Sequence, residues 1–272
     1  MDKELTIMCS TDRKYLDQFL VLANSIKTNT KNYNLIVRLI HADTRLHAPE
    51  HVNEFALAAG KLSQWSHEHG VEIIPDNTPL NEKNTIVMRG LDRLHPRMGS
   101  LRSRLVSEKQ CYAAHSKFIN AKYLLDRGDE YILIMDVDAI VRKDLSELIP
   151  LLDEFEFTAR IERRNDGLFI PTNRTILCEG VMGMRNTSTM RWFFNSLVGT
   201  LNEARKSKCY DIDTDTIILS ELFYKCSRTI KFGELPYEYK DPSFQSDSYV
   251  WSGQGFGRHD SKYIKEKQLY EG

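Results

Sequence analysis

The sequence predicts an α/β fold with a mainly parallel, twisted sheet flanked by helices. Three observations carry this reading. Short apolar runs, Leu5–Cys9, Leu35–His41, Val71–Pro75 and Tyr131–Met135, alternate with longer stretches whose apolar residues recur at helical spacing. Tyr131–Met135 is apolar or aromatic at every position, the pattern of a strand covered on both faces. Alternation of strand with helix gives parallel pairing, because each helix carries the chain back to the same end of the sheet.

The elements follow in order. Leu5–Cys9 is a short strand, and Ser10-Thr11-Asp12 supplies helix N-cap chemistry. The helix that follows has Tyr15, Phe19, Leu22 and Ile26 on one face, widened by Leu16, Leu20 and Ala23. Leu35–His41 is the second strand. A helix is predicted over Glu50–His69, with Phe55, Leu57, Leu62 and Trp65 facing inward, and Gly70 ends it before the third strand. Glu108–Asp126 reads as a helix with Tyr112, Phe118, Ile119, Tyr123 and Leu124 on its buried side. After Tyr131–Met135 come a short helix to Leu152 and a strand over Phe155–Ile161.

The polar segment Glu162–Thr175 reads as a loop. Cys178–Asn186 is a strand interrupted by Gly180 and Gly183, which suggests close approach of the backbone to a ligand. Thr187-Ser188-Thr189 caps a helix holding Met190, Trp192, Phe193, Phe194, Leu197 and Val198. Asp211, Asp213 and Asp215 precede an apolar helix over Thr216–Tyr224. One acid is accounted for by capping; three exceed what one cap needs. Ile230–Leu235 is the last predicted strand. Without repeats or linkers, one domain is expected over 1–272. It carries a basic flap at 81–109, rich in Arg and Lys, and a glycine-rich basic tail at 241–272. Such a basic run is either a solvated face or a holder of phosphates or an anionic acceptor.

Composition narrows the function classes. Apolar residues make up 41% and charged residues 28%, which is globular; Lys plus Arg, 37, nearly equals Asp plus Glu, 38, so net charge gives no sign of nucleic-acid or anionic-membrane binding. Five scattered cysteines without a Cys-x-x-Cys pair argue against a disulfide framework or zinc cluster. With no signal peptide and no span of about 20 apolar residues, a cytoplasmic location is expected.

The chemistry centres on Asp136-Val137-Asp138, directly after the buried strand. Ligands of open α/β sheets bind beyond the carboxyl ends of strands. In extended chain, residues i and i+2 point the same way, so both carboxylates can reach one cation. The competing reading is a strand running into a polar turn. Apolar Ala139-Ile140-Val141 behind the pair makes that turn less natural, and carboxylates in such a place are costly unless a cation or hydrogen bonds compensate them.

Taken in order, these pieces resemble the GT-A glycosyltransferases, especially the glycogenin-like (family 8-like) nucleotide-sugar transferases. The likeness runs from about Leu5 to Lys262. It rests on the first strand with Ser10-Thr11-Asp12 and Tyr15, the helix carrying Lys117, Asp136-Val137-Asp138 followed by Asp144-Leu145, Cys178-Glu179-Gly180-Val181-Met182, Asp215 before Ile217-Ile218-Leu219, and His259 with Lys262. The resemblance implies a Rossmann-like nucleotide-diphospho-sugar transferase fold and a metal-dependent, sugar-retaining transfer from a nucleotide-sugar, most simply a UDP-sugar. Asp136, Asp138 and His259 would bind Mn²⁺ (or Mg²⁺), a set with one imidazole that suits Mn²⁺. Lys117, Gly257 and Lys262 would lie by the donor, with Val137 beside the metal pair, and Cys9, Ser10, Thr11 and Asp12 by the base and ribose. Asp215 and Glu179 would face the transferred sugar; if the register slips by two residues, Asp213 takes the place of Asp215. The sequence departs from the family at Cys178 and Glu179, where Asn-Ala is usual, and at Thr216-Ile217 after Asp215.

Two other readings stand beside it. A haloacid-dehalogenase-type phosphatase also places Asp-x-Asp after an apolar strand, but near its N-terminus, whereas here 130 residues precede Tyr131. A non-catalytic transferase-like module that grips a glycan or nucleic acid would use the basic run.

Overall fold

The computed structural model describes residues 3–41, 49–80, 108–162, 176–207, 214–253 and 257–271. Residues 81–107 of the predicted basic flap (81–109), residues 163–175 of the predicted loop, Asp211, Asp213 and the side chain of Phe55 lie outside the described residues.

The sheet has seven strands among these residues. They are β1 (Leu5–Thr11), β2 (Tyr33–Ile40), β3 (Glu72–Asp76), β4 (Tyr131–Met135), β6 (Phe157–Glu162), β7 (Ile176–Arg185) and β8 (Phe232–Glu234), in the order β3-β2-β1-β4-β7-β6-β8. The pairs β3-β2, β2-β1, β1-β4 and β6-β8 are parallel, while β7 is antiparallel to both neighbours. β7 alone runs against the rest, so the sheet is mainly parallel, as predicted. A second, two-stranded sheet pairs β5 (Ala139–Val141) with β9 (Val250–Ser252).

The period of two along each strand divides the core into two layers. Leu5, Ile7 and Cys9, with Leu35, Val37 and Leu39, and Tyr131, Leu133 and Met135, pack beneath α1 (Leu16–Asn29) and Leu62 of α2 (Pro49–His69). Met8, Ile36, Ile132 and Ile134 face the other way. They meet Phe118 and Leu124 of α3 (Glu108–Arg127), Phe193 and Phe194 of α5 (Ser188–Lys206) and Leu219 of α6 (Thr214–Cys226). β4 is buried along its whole length, as a strand covered on both faces must be.

Several local expectations are corrected. β1 continues through Thr11, and Asp12 does not cap a helix; its Oδ1 accepts from the amides of Lys14 (2.8 Å) and Tyr15 (3.2 Å), a turn that leads into α1. Leu57 and Trp192 are exposed, at 70% and 53%, and do not face the sheet. Gly183 serves packing: a Cβ there would meet Thr158 Oγ1 at 2.6 Å and Leu152 of α4 (Ile149–Glu154) at 3.0 Å. Gly70 does close α2, with φ of 67°. Thr187 caps α5 by accepting from the Met190 amide. The tail holds a further helix that its composition did not announce, α7 (Ser261–Gln268), capped by Asp260. Among the described residues no helix is long and apolar enough to cross a membrane.

Phe157 is the hinge of the second layer, fully buried among the rings of Phe193, Phe194, Phe223 and Phe232 at centroid distances of 5.8–6.2 Å. Phe157→Ala is expected to cost about 3–5 kcal/mol, read as a lower urea midpoint with an unchanged slope.

Candidate active site

The Asp136 amide donates to Gly180 O (2.8 Å), extending the β4–β7 ladder by one residue past Met135. The chain then turns, with the Ala139 amide donating to Asp136 O (3.3 Å). Asp136-Val137-Asp138 is therefore a turn between β4 and β5, and the expectation of two side chains aligned in extended chain is corrected. The turn is pinned from the tail: Asp138 O accepts from the Gly253 amide (3.0 Å) and the Tyr263 hydroxyl (2.7 Å). Burial, then the charge of Asp136, pushes Asp138 up to about 6, against the opposing fields of Arg258 and Lys240.

Lys117 on α3 is buried at the centre of the group. Its Nζ lies 3.4 Å from Glu179, 3.5 Å from Asp215 and 3.7 Å from Asp136. Burial alone would lower the lysine pKa; the three carboxylates outweigh it and hold the ammonium well above the ordinary range. Glu179, on β7, is held below its ordinary value although burial opposes this, chiefly by Lys117 and then Lys240. Asp215 goes the other way: burial, reinforced by Glu179, pushes it up to about 7 in spite of Lys117. It sits in the first turn of α6, where its Oδ1 accepts from the Thr216 amide at 2.8 Å, while its Oδ2 is buried without a hydrogen bond. Lys117 by itself does not neutralise three carboxylates; the proton on Asp215 and the field of Lys240 make up part of the difference.

A second polar group occupies the carboxyl edge of β1–β3. Ser10 Oγ lies 2.8 Å from Ser116 Oγ and accepts from Asn120 Nδ2 (2.9 Å), and Asn120 Oδ1 accepts from Arg38 Nε (2.6 Å). Arg38 pairs in turn with Asp76 at 3.4 Å. Against the upward push of burial, hydrogen bonds from Tyr112 and Thr78 hold Asp76 below the usual carboxylate range. Asp12 Oδ2 pairs with Lys109 Nζ at 3.1 Å, both side chains buried. Thr11 is buried beside it. Cys9 is enclosed in the α1-side core, where burial raises its thiol.

The structure thus brings Asp136, Lys117, Glu179 and Asp215 together, with Asp138 one turn residue away. It leaves His259 and Lys262 exposed on the tail, on the short turn Gly257–His259 and the start of α7. Gly257 packs under Phe244, 3.1 Å from where a Cβ would stand. Among the described residues no three His, Cys, Asp or Glu side chains form a ready-made cage. The Asp136–Asp138 pair still suits a divalent cation: both are oxygen donors, and their mutual repulsion and burial are relieved by positive charge. Sequence reasoning missed Lys240, Arg258 and Tyr263, whose places depend on β9 and α7 folding back to the Asp138 turn. It also missed Arg38, Asp76 and Asn120, each of which looks like an ordinary strand or helix polar residue in the sequence.

The raised Asp215 carboxyl has a consequence for stability. A carboxyl with a folded pKa above its ordinary 3.8 favours the folded chain below that value, and this contribution is lost as pH rises towards about 7. In EDTA, Asp215→Asn is expected to gain about 2 kcal/mol on the unsubstituted chain between pH 5 and pH 8, measured by urea unfolding at each pH. A difference that stays constant across that range would mean Asp215 is ionised throughout.

No family model and no curated protein matches the chain. Solved structures do. A galactosyltransferase, LgtC, in complex with donor and acceptor sugar analogues aligns with a TM-score of 0.55 and 13% identity, over 97% of this chain and 95% of that one. Mouse xyloside xylosyltransferase 1 aligns at 0.53 and 12%, over 94% and 99%. The glycosyltransferase GlyE of Streptococcus pneumoniae aligns at 0.52 and 13%, over 99% of this chain and 60% of that one. At this identity the likeness establishes architecture, and the chain has the GT-A glycosyltransferase fold that its sequence resembles.

Proposed function

We propose that the chain is a metal-dependent glycosyltransferase that moves a sugar from a nucleotide-diphosphate donor, a UDP-sugar in the simplest case, to an acceptor, with retention at the anomeric carbon. The observation that carries this is the gathering of Asp136, Glu179 and Asp215 around Lys117 at the carboxyl edge of the sheet, next to the Asp138 turn. The fold likeness to glycosyltransferases over nearly the whole chain favours this over the phosphatase reading.

Ser10, Thr11 and Asp12 end β1 at that same edge and would take the base and ribose. Asp136 and Asp138 would hold Mn²⁺ or Mg²⁺, with His259 as third ligand from the tail. The ion would supply positive charge to the diphosphate as it leaves. Lys117 holds Glu179 below its ordinary range and lies 3.7 Å from Asp136. Glu179 and Asp215 would then present oxygen acceptors to the hydroxyls of the transferred sugar, and the protonated form of Asp215 can also donate. Lys262 would join the phosphates by closure of the tail, and Asp213 would extend the sugar side. The basic segment 81–109 would meet an anionic acceptor.

Calorimetric titration with a panel of nucleoside diphosphates, in Mn²⁺ and then in EDTA, tests the reading. One nucleotide is expected to bind with micromolar affinity in Mn²⁺ and at least tenfold more weakly in EDTA. Asp138→Asn is expected to remove the metal-dependent part while melting no lower than the unsubstituted chain, because it takes away a carboxylate that burial disfavours. Full metal-dependent binding in that variant would remove Asp138 from the metal site. Metal-dependent binding without transfer or donor hydrolysis would point to the non-catalytic module.

A further inference from the structure

Lys240 is a second buried ammonium at this site, and it differs from Lys117 in having no ion pair. It is 4% exposed. Its side chain makes no hydrogen bond or ion pair with any of the described residues. Its position is defined by Gly180: from the point a Cβ would occupy there, Lys240 Nζ and Cε lie at 2.8 Å and Asp136 Oδ2 at 2.7 Å. The glycine therefore opens the space in which the ammonium stands beside the first metal-pair carboxylate. The field of Lys240 reaches both Asp138 and Glu179, so it stands between the cation end and the sugar end of the site.

The backbone holds Lys240 there. Its amide donates to Tyr237 O (3.0 Å), and its carbonyl accepts from Arg160 Nη1 (2.8 Å), whose guanidinium lies over the Tyr237 ring at 4.5 Å. The next residue, Asp241, is fully buried and accepts from the amides of Ser243 and Gln245 and from the Ser248 hydroxyl, each at 2.6 Å. A fixed loop thus carries a lysine to the carboxylates Asp136, Asp138 and Glu179 with no hydrogen bond or ion pair at its ammonium among the described residues, so its three donors stand open to an anionic ligand.

We propose that Lys240 is a diphosphate-binding residue, its ammonium taking the anionic oxygens of the donor over Gly180, beside Asp136. This rests on the transferase reading above and adds a second cation to it. Lys117 is already engaged with three carboxylates and has little charge to offer a ligand. Lys240 is uncommitted, and it adjoins the carboxylate pair where a metal-bridged diphosphate would lie.

The test uses the full chain, Mn²⁺, the nucleoside diphosphate selected by the panel and the matching nucleoside monophosphate. Lys240→Met keeps the length and packing of the methylenes and removes the charge. It is expected to weaken the diphosphate at least tenfold and the monophosphate less than threefold, with Lys240→Arg recovering part of the loss. Lys240→Gln replaces the methionine variant should that one not fold, and the same loss is expected of it. A folded, uncharged variant that binds the diphosphate as tightly as the unsubstituted chain overturns the assignment. Unchanged diphosphate binding with lost turnover of the nucleotide-sugar also overturns it, placing Lys240 on the sugar instead. If the unsubstituted chain binds no nucleoside diphosphate, the transferase reading fails first and this assignment falls with it.

Discussion

The structure of the site depends on a charge constraint: one buried ammonium, Lys117, within 3.4–3.7 Å of carboxylates from three separate elements. Charges taken out of water must be paired, and removal of either sign leaves the other stranded. That requirement ties α3 to the end of β4, to β7 and to the first turn of α6. Asp136 and Glu179 come within reach of one lysine because β4 and β7 are neighbours, locked by the Asp136 amide to Gly180 carbonyl bond. Lys117 alone does not balance three acids; Asp215 absorbs part of the excess by holding a proton towards neutral pH, and the field of Lys240 offsets Glu179 further.

The reversal of β7 is what makes this possible. Were β7 parallel to β4, the chain would need a crossover and Glu179 would lie in a different register. Antiparallel pairing with glycine at 180 lets Asp136 and Lys240 stand over the strand itself. The tail completes the arrangement. Its β9 pairs with β5, Arg142 lies over the Trp251 ring at 4.0 Å and bonds Glu266, and Tyr263 and Gly253 hold the Asp138 carbonyl. The turn between the two aspartates is thus fixed from outside, by residues more than a hundred positions later in the chain.

The β1–β3 half of the same carboxyl edge follows different physics. Arg38, Asp76, Tyr112, Asn120 and Ser10 form a connected, buried hydrogen-bonded set, and such sets hold geometry when every member is satisfied. It fixes the end of β1, where the nucleotide is proposed to lie, against α3, the same helix that carries Lys117. One helix therefore relates the two halves of the site.

Much of this was legible in the sequence, for definite reasons. Strand and helix periodicity is a local property, so Tyr131–Met135, Glu108–Asp126 and the capped helix at Thr187 could be read directly, and with them the alternation that makes the sheet mainly parallel. Asp136, Asp138 and Asp215 stood out because carboxylates were set beside apolar strands and helices, whereas Lys117 and Glu179 were picked out only by the resemblance to the GT-A transferases. Side-chain facing failed at Leu57 and Trp192, since an apolar residue declares a preference for burial but only its neighbours decide whether room remains. The turn at Val137 was hidden because its partners, Gly253 and Tyr263, are distant in sequence. Lys240 had no signal at all: its meaning comes from Gly180 opposite, and nothing local marks either as half of a pair. The sequence by itself determined which segments are strands and helices and which acids end them, because backbone periodicity and capping act over a few residues. Only the tertiary structure decided which charges meet, because pairing in a buried site is set by strand order and by loops that return from the far end of the chain.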